Sequence, residues 1–312
     1  MSDLALPLLF LLLPVAAWSG WVIGRRGSER TSGARVSELS TNYFRGLNYL
    51  LNEQQDKAIE VFLKLAEINR DTVETHLALG NLFRRRGEVD RAIRVHQHLI
   101  ARPNLNEDEK TVALLELGED YMRAGLLDRA ETLFSDLVAM NAQAPSALKH
   151  LIAIYQHERD WDKAIDHARR LQQATGESQG ATIAQFYCEL AEQSRTRGAL
   201  DEARRHIEEA YAAESDCVRA SMIKGHVEAA DGHLDRAIAS FEQVAEQDVD
   251  YVPEILSPLL DCYARAGQMA RAEEFLLNIT ETYQGVAPGP ALARLYARAD
   301  GEDAAGAVLD RA

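Results

Sequence analysis

The chain has 312 residues, 46% hydrophobic and 27% charged, which is ample material for a folded body with a buried core. Its formal net charge of −15 argues against a general nucleic-acid binder, because phosphate contacts need a basic surface. Cys188, Cys217 and Cys262 are widely spaced, form no Cys-x-x-Cys pair and outline no disulfide framework, as fits a reducing compartment.

Residues 1–24 read as a transmembrane anchor. Leu4 to Gly24 carries no charge. At a rise of about 1.5 Å per residue it can just cross a hydrocarbon core of roughly 30 Å. Trp18 and Trp21 stand near one end, as interfacial aromatics do. A cleaved signal peptide would open with Lys or Arg, whereas the only early charge here is Asp3. Residues 25–40 form a basic juxtamembrane linker in which Arg25, Arg26, Arg30 and Arg35 outnumber Glu29. Arg25 and Arg26 sit at the membrane interface, and the positive-inside rule places the rest of the chain in the cytoplasm.

Residues 41–284 repeat one short phrase seven times: a tight turn, then Asp, any residue and Ala. The alanines are Ala58, Ala92, Ala130, Ala164, Ala203, Ala237 and Ala272, separated by 34, 38, 34, 39, 34 and 35 residues. A period near 34 is the signature of the tetratricopeptide repeat, a helix-turn-helix unit that stacks into an all-α superhelical solenoid. Twelve residues before the alanine stands a small residue in five copies: Gly46, Gly80, Gly118, Ala191 and Gly225. These positions are expected to let paired helices approach closely. Ile152 and Leu260 replace the small residue in the other two copies. A first aromatic follows at Tyr49, Phe83, Tyr121, Tyr155 and Tyr263, and a second at Phe62, Phe134 and Phe241. The second set is expected to fill the space between stacked units. Asp56, Asp90, Asp128, Asp162, Asp201 and Asp235 fall at or near the first turn of the second helix in six of the seven copies. A carboxylate there should satisfy free N–H groups and meet the positive helix end. The longer intervals are expected to be loops, at Ala101–Lys110 and Thr175–Gly180. Residues 285–312 read as a turn-rich linker and a degenerate eighth unit that stops without a polar cap, as a truncated repeat would.

No phosphate loop, dinucleotide fingerprint, zinc-protease motif or nucleophile elbow occurs, so no enzyme activity is expected. His96 and His98 are two residues apart and face different sides of a helix, which suits surface or interface positions better than a metal pair. Cys188 reads as a small buried or half-buried residue. Arg84, Arg85 and Arg86, with Arg91, Arg94 and Arg102, form a basic cluster in an acidic chain. It is either a solvated helix end or a docking patch for an acidic partner or lipid headgroup. First helices are expected to line the binding groove. They would bring Asn81, Arg84, Arg85, Glu119, Arg123, His157 and Arg195 to that face, a mixed polar lining suited to peptide or protein recognition.

The run from Pro7 to Ala17 continuing to Gly24-Arg25-Arg26 resembles the lipopolysaccharide assembly protein B family of Gram-negative bacteria. So do residues Asn52–Ala58, Glu74–Phe83, Gly87–Ile93 and Phe186–Ala191, and the similarity covers essentially the whole chain. The resemblance implies an inner-membrane protein with cytoplasmic repeats that regulates lipopolysaccharide synthesis. It implies an adaptor that promotes degradation of the lipid A pathway deacetylase by the membrane-bound ATP-dependent zinc protease. A membrane-embedded lipopolysaccharide sensor is expected to restrain it through the anchor. The alternative is a scaffold that gathers lipopolysaccharide-synthesis enzymes without controlling proteolysis. Family members end in a rubredoxin-like module that holds a metal with Cys-x-x-Cys pairs. No such pair stands in this sequence, so no metal ligand carries over and no cofactor is expected in this chain.

Overall fold

The computed structural model describes residues 41–282, apart from 50–51, 53 and 69–71. The expected anchor, the basic linker and the 285–312 segment lie outside the described residues. So do Trp18, Trp21, Arg25 and Arg26. Among the described residues no strand occurs, and no helix is long and apolar enough to cross a membrane.

The chain divides into two compact units at Gln143/Ala144. The first holds α1 (41–49), α2 (Gln55–Ile68), α3 (Val73–Arg86), α4 (Val89–Ile100), α5 (Glu107–Arg123) and α6 (Leu127–Ala139). The second holds α7 (Ala144–Glu158), α8 (Trp161–Thr175), α9 (Gly180–Thr196), α10 (Leu200–Ala213), α11 (Val218–Ala230), α12 (Leu234–Gln247), α13 (Val252–Ala266) and α14 (Met269–Thr282). A single 3₁₀ turn, Val249–Tyr251, leads into α13. Each odd-numbered helix packs on the even-numbered helix that follows it. In the first unit α3 also touches α5, and in the second α9 touches α11 and α11 touches α13. In these three pairs the first helices of successive repeats share a wall.

The small positions let the paired helices approach closely, as expected, and what they admit is the second aromatic of their own repeat. A Cβ added to Gly46 would lie 2.8 Å from Phe62, and one added to Gly118 or Gly225 would lie 2.5 Å from Phe134 or Phe241. These rings pack inside a repeat, over its own first helix, and do not merely fill the gap between stacked units. Where the glycine is missing the opposite residue shrinks. Ile152 is matched by Ala168, and Ala191 by Ile207, all buried. In these two repeats the combined volume is kept, as a close-packed interior favours, whereas the seventh sets Leu260 against Leu276.

The "any residue" of the repeated phrase is not arbitrary. Lys57, Arg91, Arg129, Lys163 and Arg271 place their cations over Tyr49, Phe83, Tyr121, Tyr155 and Tyr263, at 4.0 to 6.0 Å from the ring centroids. In the sixth repeat Glu228 replaces the ring, and Arg236 lies 4.0 Å from its carboxylate. In the fifth both partners change, to Ser194 and Glu202.

The turn glycines hold the positive φ expected of a helix end, for example Gly87 at 84° and Gly267 at 69°. The fourth repeat uses Arg159 there, at φ 59°. The turn Asp residues lie in the first helical turn, where the helix dipole favours them. They are not the caps. The N-cap positions of α4, α6, α10 and α12 are Glu88, Leu126, Ala199 and His233, none with a side-chain cap bond. Asp56 instead pairs with Arg86, and Asp235 accepts from Gln268 at 2.6 Å. The inserted residues are also only partly loop. An Asn106–Glu109 capping box starts α5 at Glu107, so α5 and α9 each run 17 residues.

Candidate functional site

Arg84, the centre of the expected basic patch, is held by the next repeat. From the last turn of α3 its guanidinium donates to Asp120 Oδ1 at 2.7 Å, Glu116 Oε2 at 2.7 Å and Glu119 Oε2 at 2.8 Å. It also donates to the Glu116 carbonyl at 3.2 Å. Burial alone would lower the guanidinium, but its bonds to Asp120 and Glu116 hold it above the ordinary arginine value. Asp120 is fully buried, and its other oxygen lies 2.6 Å from His96 Nδ1. His96 stands where other repeats carry Phe62, Phe134 and Phe241. It is fully buried with its Nε2 against Gly80, which corrects the expected surface position. His98 is exposed, as expected.

The remaining cations of the cluster divide by partner. Arg86 pairs with Asp56 and with Glu88 at 2.9 Å, Arg94 donates to the Asp90 carbonyl, and Arg102 lies 2.8 Å from His76 Nε2. Arg85 and Arg123 are exposed, and no ion pair engages either among the described residues. Asn81 is half-buried, with its Oδ1 enclosed and without a hydrogen bond. The first unit thus presents Arg85 and Arg123 to solvent, and uses Arg84 and Glu119 to join α3 to α5.

In the second unit α9, α11, the 3₁₀ turn and α13 enclose an open cavity of about 560 Å³. Glu192, Arg219, Met222, His226, Tyr251 and Glu254 are among its walls. Arg195 stands beside it and chelates Glu192 through two N–H donors, the longer at 2.8 Å. That hydrogen bond lowers the Glu192 carboxyl against the opposing effect of burial. Burial lowers His226, helped by the charge of Arg195 and opposed by Glu192. His157 is exposed in the last turn of α7 and is not part of this wall. On the neighbouring helix Arg204 clamps α10 to α11, reaching Glu228 at 3.0 Å and also Asp231. Among the described residues no group of three His, Cys, Asp or Glu side chains could hold a metal.

Two cysteines that look unrelated in sequence are neighbours. Cys188 in α9 and Cys217 at the N-cap of α11 place their Sγ atoms 3.8 Å apart, and both are buried. Their proximity follows from the stacking of first helices, which residue spacing alone did not reveal.

The first helices of each unit carry mixed polar and charged side chains. The tetratricopeptide repeat family matches residues 39–72, 75–109, 115–178 and 190–251, and its fold is a protein-interaction scaffold. Among curated proteins the chain is 42% identical over 306 residues to lipopolysaccharide assembly protein B of Escherichia coli K12, covering 98% of this chain and 79% of the relative. It is 38% identical over 310 residues to the protein of that name from Haemophilus influenzae, covering 97% and 78%. Among solved structures it is similar to the C-terminal part of a TPR repeat-containing protein from Cytophaga hutchinsonii. The TM-score is 0.50 at 12% identity, over 86% of this chain and 99% of that one, a likeness of fold alone.

Proposed function

The chain belongs to the lipopolysaccharide assembly protein B family, and on that premise we propose that it is a non-catalytic, membrane-anchored adaptor in lipopolysaccharide synthesis. In this reading it presents the lipid A pathway deacetylase to the membrane-bound ATP-dependent zinc protease. A membrane-embedded lipopolysaccharide sensor restrains it through residues 1–24, at the inner membrane, with the repeats on the cytoplasmic side. The observation that carries the reading is the 42% identity across 98% of the chain. The stacked helix pairs support it as well, because they offer a recognition face.

The deciding experiment is the half-life of the deacetylase with and without this protein. The adaptor reading expects a longer half-life when the protein is removed, and restoration by the full chain only. An unchanged half-life would overturn it and favour a scaffold that gathers synthesis enzymes. Deleting Met1 to Gly24 should leave the repeats folded, since neighbouring units bury each other's cores. Full regulatory activity of that soluble form would contradict a role for the anchor.

A further inference from the structure

We propose that Cys188 and Cys217 form a peroxide-responsive thiol pair, in which Cys217 is oxidised first and Cys188 closes an intramolecular disulfide. The geometry carries the assignment. The sulfurs lie 3.8 Å apart although 29 residues separate them in sequence. They come from two first helices that pack directly on each other. Cytosolic disulfides of this kind are transient and responsive, so a reducing compartment does not conflict with the pair.

The two thiols are unequal. Cys217 occupies the N-cap of α11, where the positive helix end favours a thiolate. The hydrogen bond shared with the Cys188 thiol pulls Cys217 down, against the opposing effect of burial. The same hydrogen bond, together with burial, pushes Cys188 up. Cys217, though buried, is one of the residues lining the open cavity, the side from which a small oxidant would approach. Cys262 lies inside α13 in a different core cluster, and burial pushes its thiol up. It serves as an internal control.

The chemistry balances with hydrogen peroxide as oxidant. The Cys217 thiolate attacks one peroxide oxygen, so an S–O bond forms, the O–O bond breaks, and the departing hydroxide takes a proton to become water. The Cys188 sulfur then attacks the sulfenic sulfur. The S–S bond forms, the S–O bond breaks, and hydroxide leaves with the Cys188 proton as a second water. The two sulfurs together lose two electrons, which the peroxide gains. Closing the bond brings the sulfurs to about 2.05 Å. That draws the start of α11 toward α9, beside the bonds from Arg219 to Glu189 at 2.7 Å and to Gln185 at 3.3 Å. Oxidation would therefore reshape the cavity wall.

The test uses the full chain, purified reduced, exposed to hydrogen peroxide, quenched, denatured and alkylated. Free thiols should fall from three to one, and peptide mapping should join Cys188 to Cys217. A dithiol reductant should restore all three. In Cys188→Ala, dimedone should trap a sulfenic acid at Cys217. In Cys217→Ser, Cys188 should remain reduced. Three alkylatable thiols after peroxide would overturn the proposal. So would a disulfide between two chains, or a sulfinic acid at Cys217 beside an unreacted Cys188.

Discussion

The guanidinium carbon of Arg91 lies 4.0 Å from the centroid of the Phe83 ring, joining the second helix of a repeat to its first. Four other repeats make the same contact at longer distances. Arg91→Met keeps the aliphatic stem and removes the charge. The loss should be about 0.5–1 kcal/mol, as for a half-exposed cation over a ring. Urea unfolding measures it, and an unchanged midpoint would mean that the stacking contributes nothing.

The close approach of Gly225 to Phe241 should be less forgiving. A Cβ there would meet the ring at 2.5 Å, and Phe241 is fully buried with nowhere to retreat. Gly225→Ala should cost about 1–3 kcal/mol despite its better helix propensity. The fifth repeat shows the remedy, since Ala191 faces the smaller Ile207 in one buried cluster. Phe241→Ile should therefore recover part of the loss in the Gly225→Ala background. Additive losses in the double variant would show that the two residues are not matched in volume.

Much of this was legible because it is local and periodic. The repeat length, the small position and the turn glycines all recur at fixed spacing, and each follows from helix geometry. What stayed hidden depends on contacts between repeats. Arg84 reads as a free cation because its partners stand 32 to 36 residues away on α5. Cys188 and Cys217 read as unrelated for the same reason. His96 was legible in principle. It occupies the Phe62 position, four residues after the turn alanine, which marks it as buried. The cation over the first aromatic could also have been read from Lys57, Arg91, Arg129, Lys163 and Arg271, all one residue before the alanine.

Arg159 carries a left-handed backbone where the turns inside five other repeats place Gly87, Gly125, Gly198, Gly232 and Gly267. Its side chain is exposed, so little packing is at stake. Arg159→Gly removes the Cβ strain but gives the unfolded chain more freedom. The balance should favour the variant by about 0.5–1 kcal/mol. A lower melting temperature for Arg159→Gly would show that the arginine makes a compensating contact.

Acid should weaken the second unit through His226. Burial, then the charge of Arg195, lowers this histidine in the folded state, so unfolded chains bind its proton more tightly. Stability from neutral His226 is complete above the ordinary value of 6.5 and is lost as pH falls through the lower folded value. His76 in the first unit moves in the same direction, with burial again the leading cause. Denaturant unfolding from pH 8 to pH 5 should show wild type losing more stability than His226→Gln. Parallel pH profiles for the two proteins would contradict the assignment.

Arg84 and Arg85 are adjacent in sequence and should respond in opposite ways. Arg84 holds the fully buried Asp120, which keeps only His96 once the guanidinium is gone. Removing one partner of a buried pair leaves an uncompensated charge, so Arg84→Ala should cost about 3–5 kcal/mol. Arg85 is exposed, and Arg85→Ala should stay within about 0.5 kcal/mol of wild type. If the exposed cations of the first unit serve docking, Arg85→Glu with Arg123→Glu should lengthen the deacetylase half-life while the melting temperature holds. Arginine suits that role through bidentate carboxylate recognition. Melting temperature and half-life measured on the same variants separate the two roles. A wild-type half-life in the double charge reversal would remove Arg85 and Arg123 from the docking surface. A wild-type melting temperature in Arg84→Ala would remove the clamp from the account of stability.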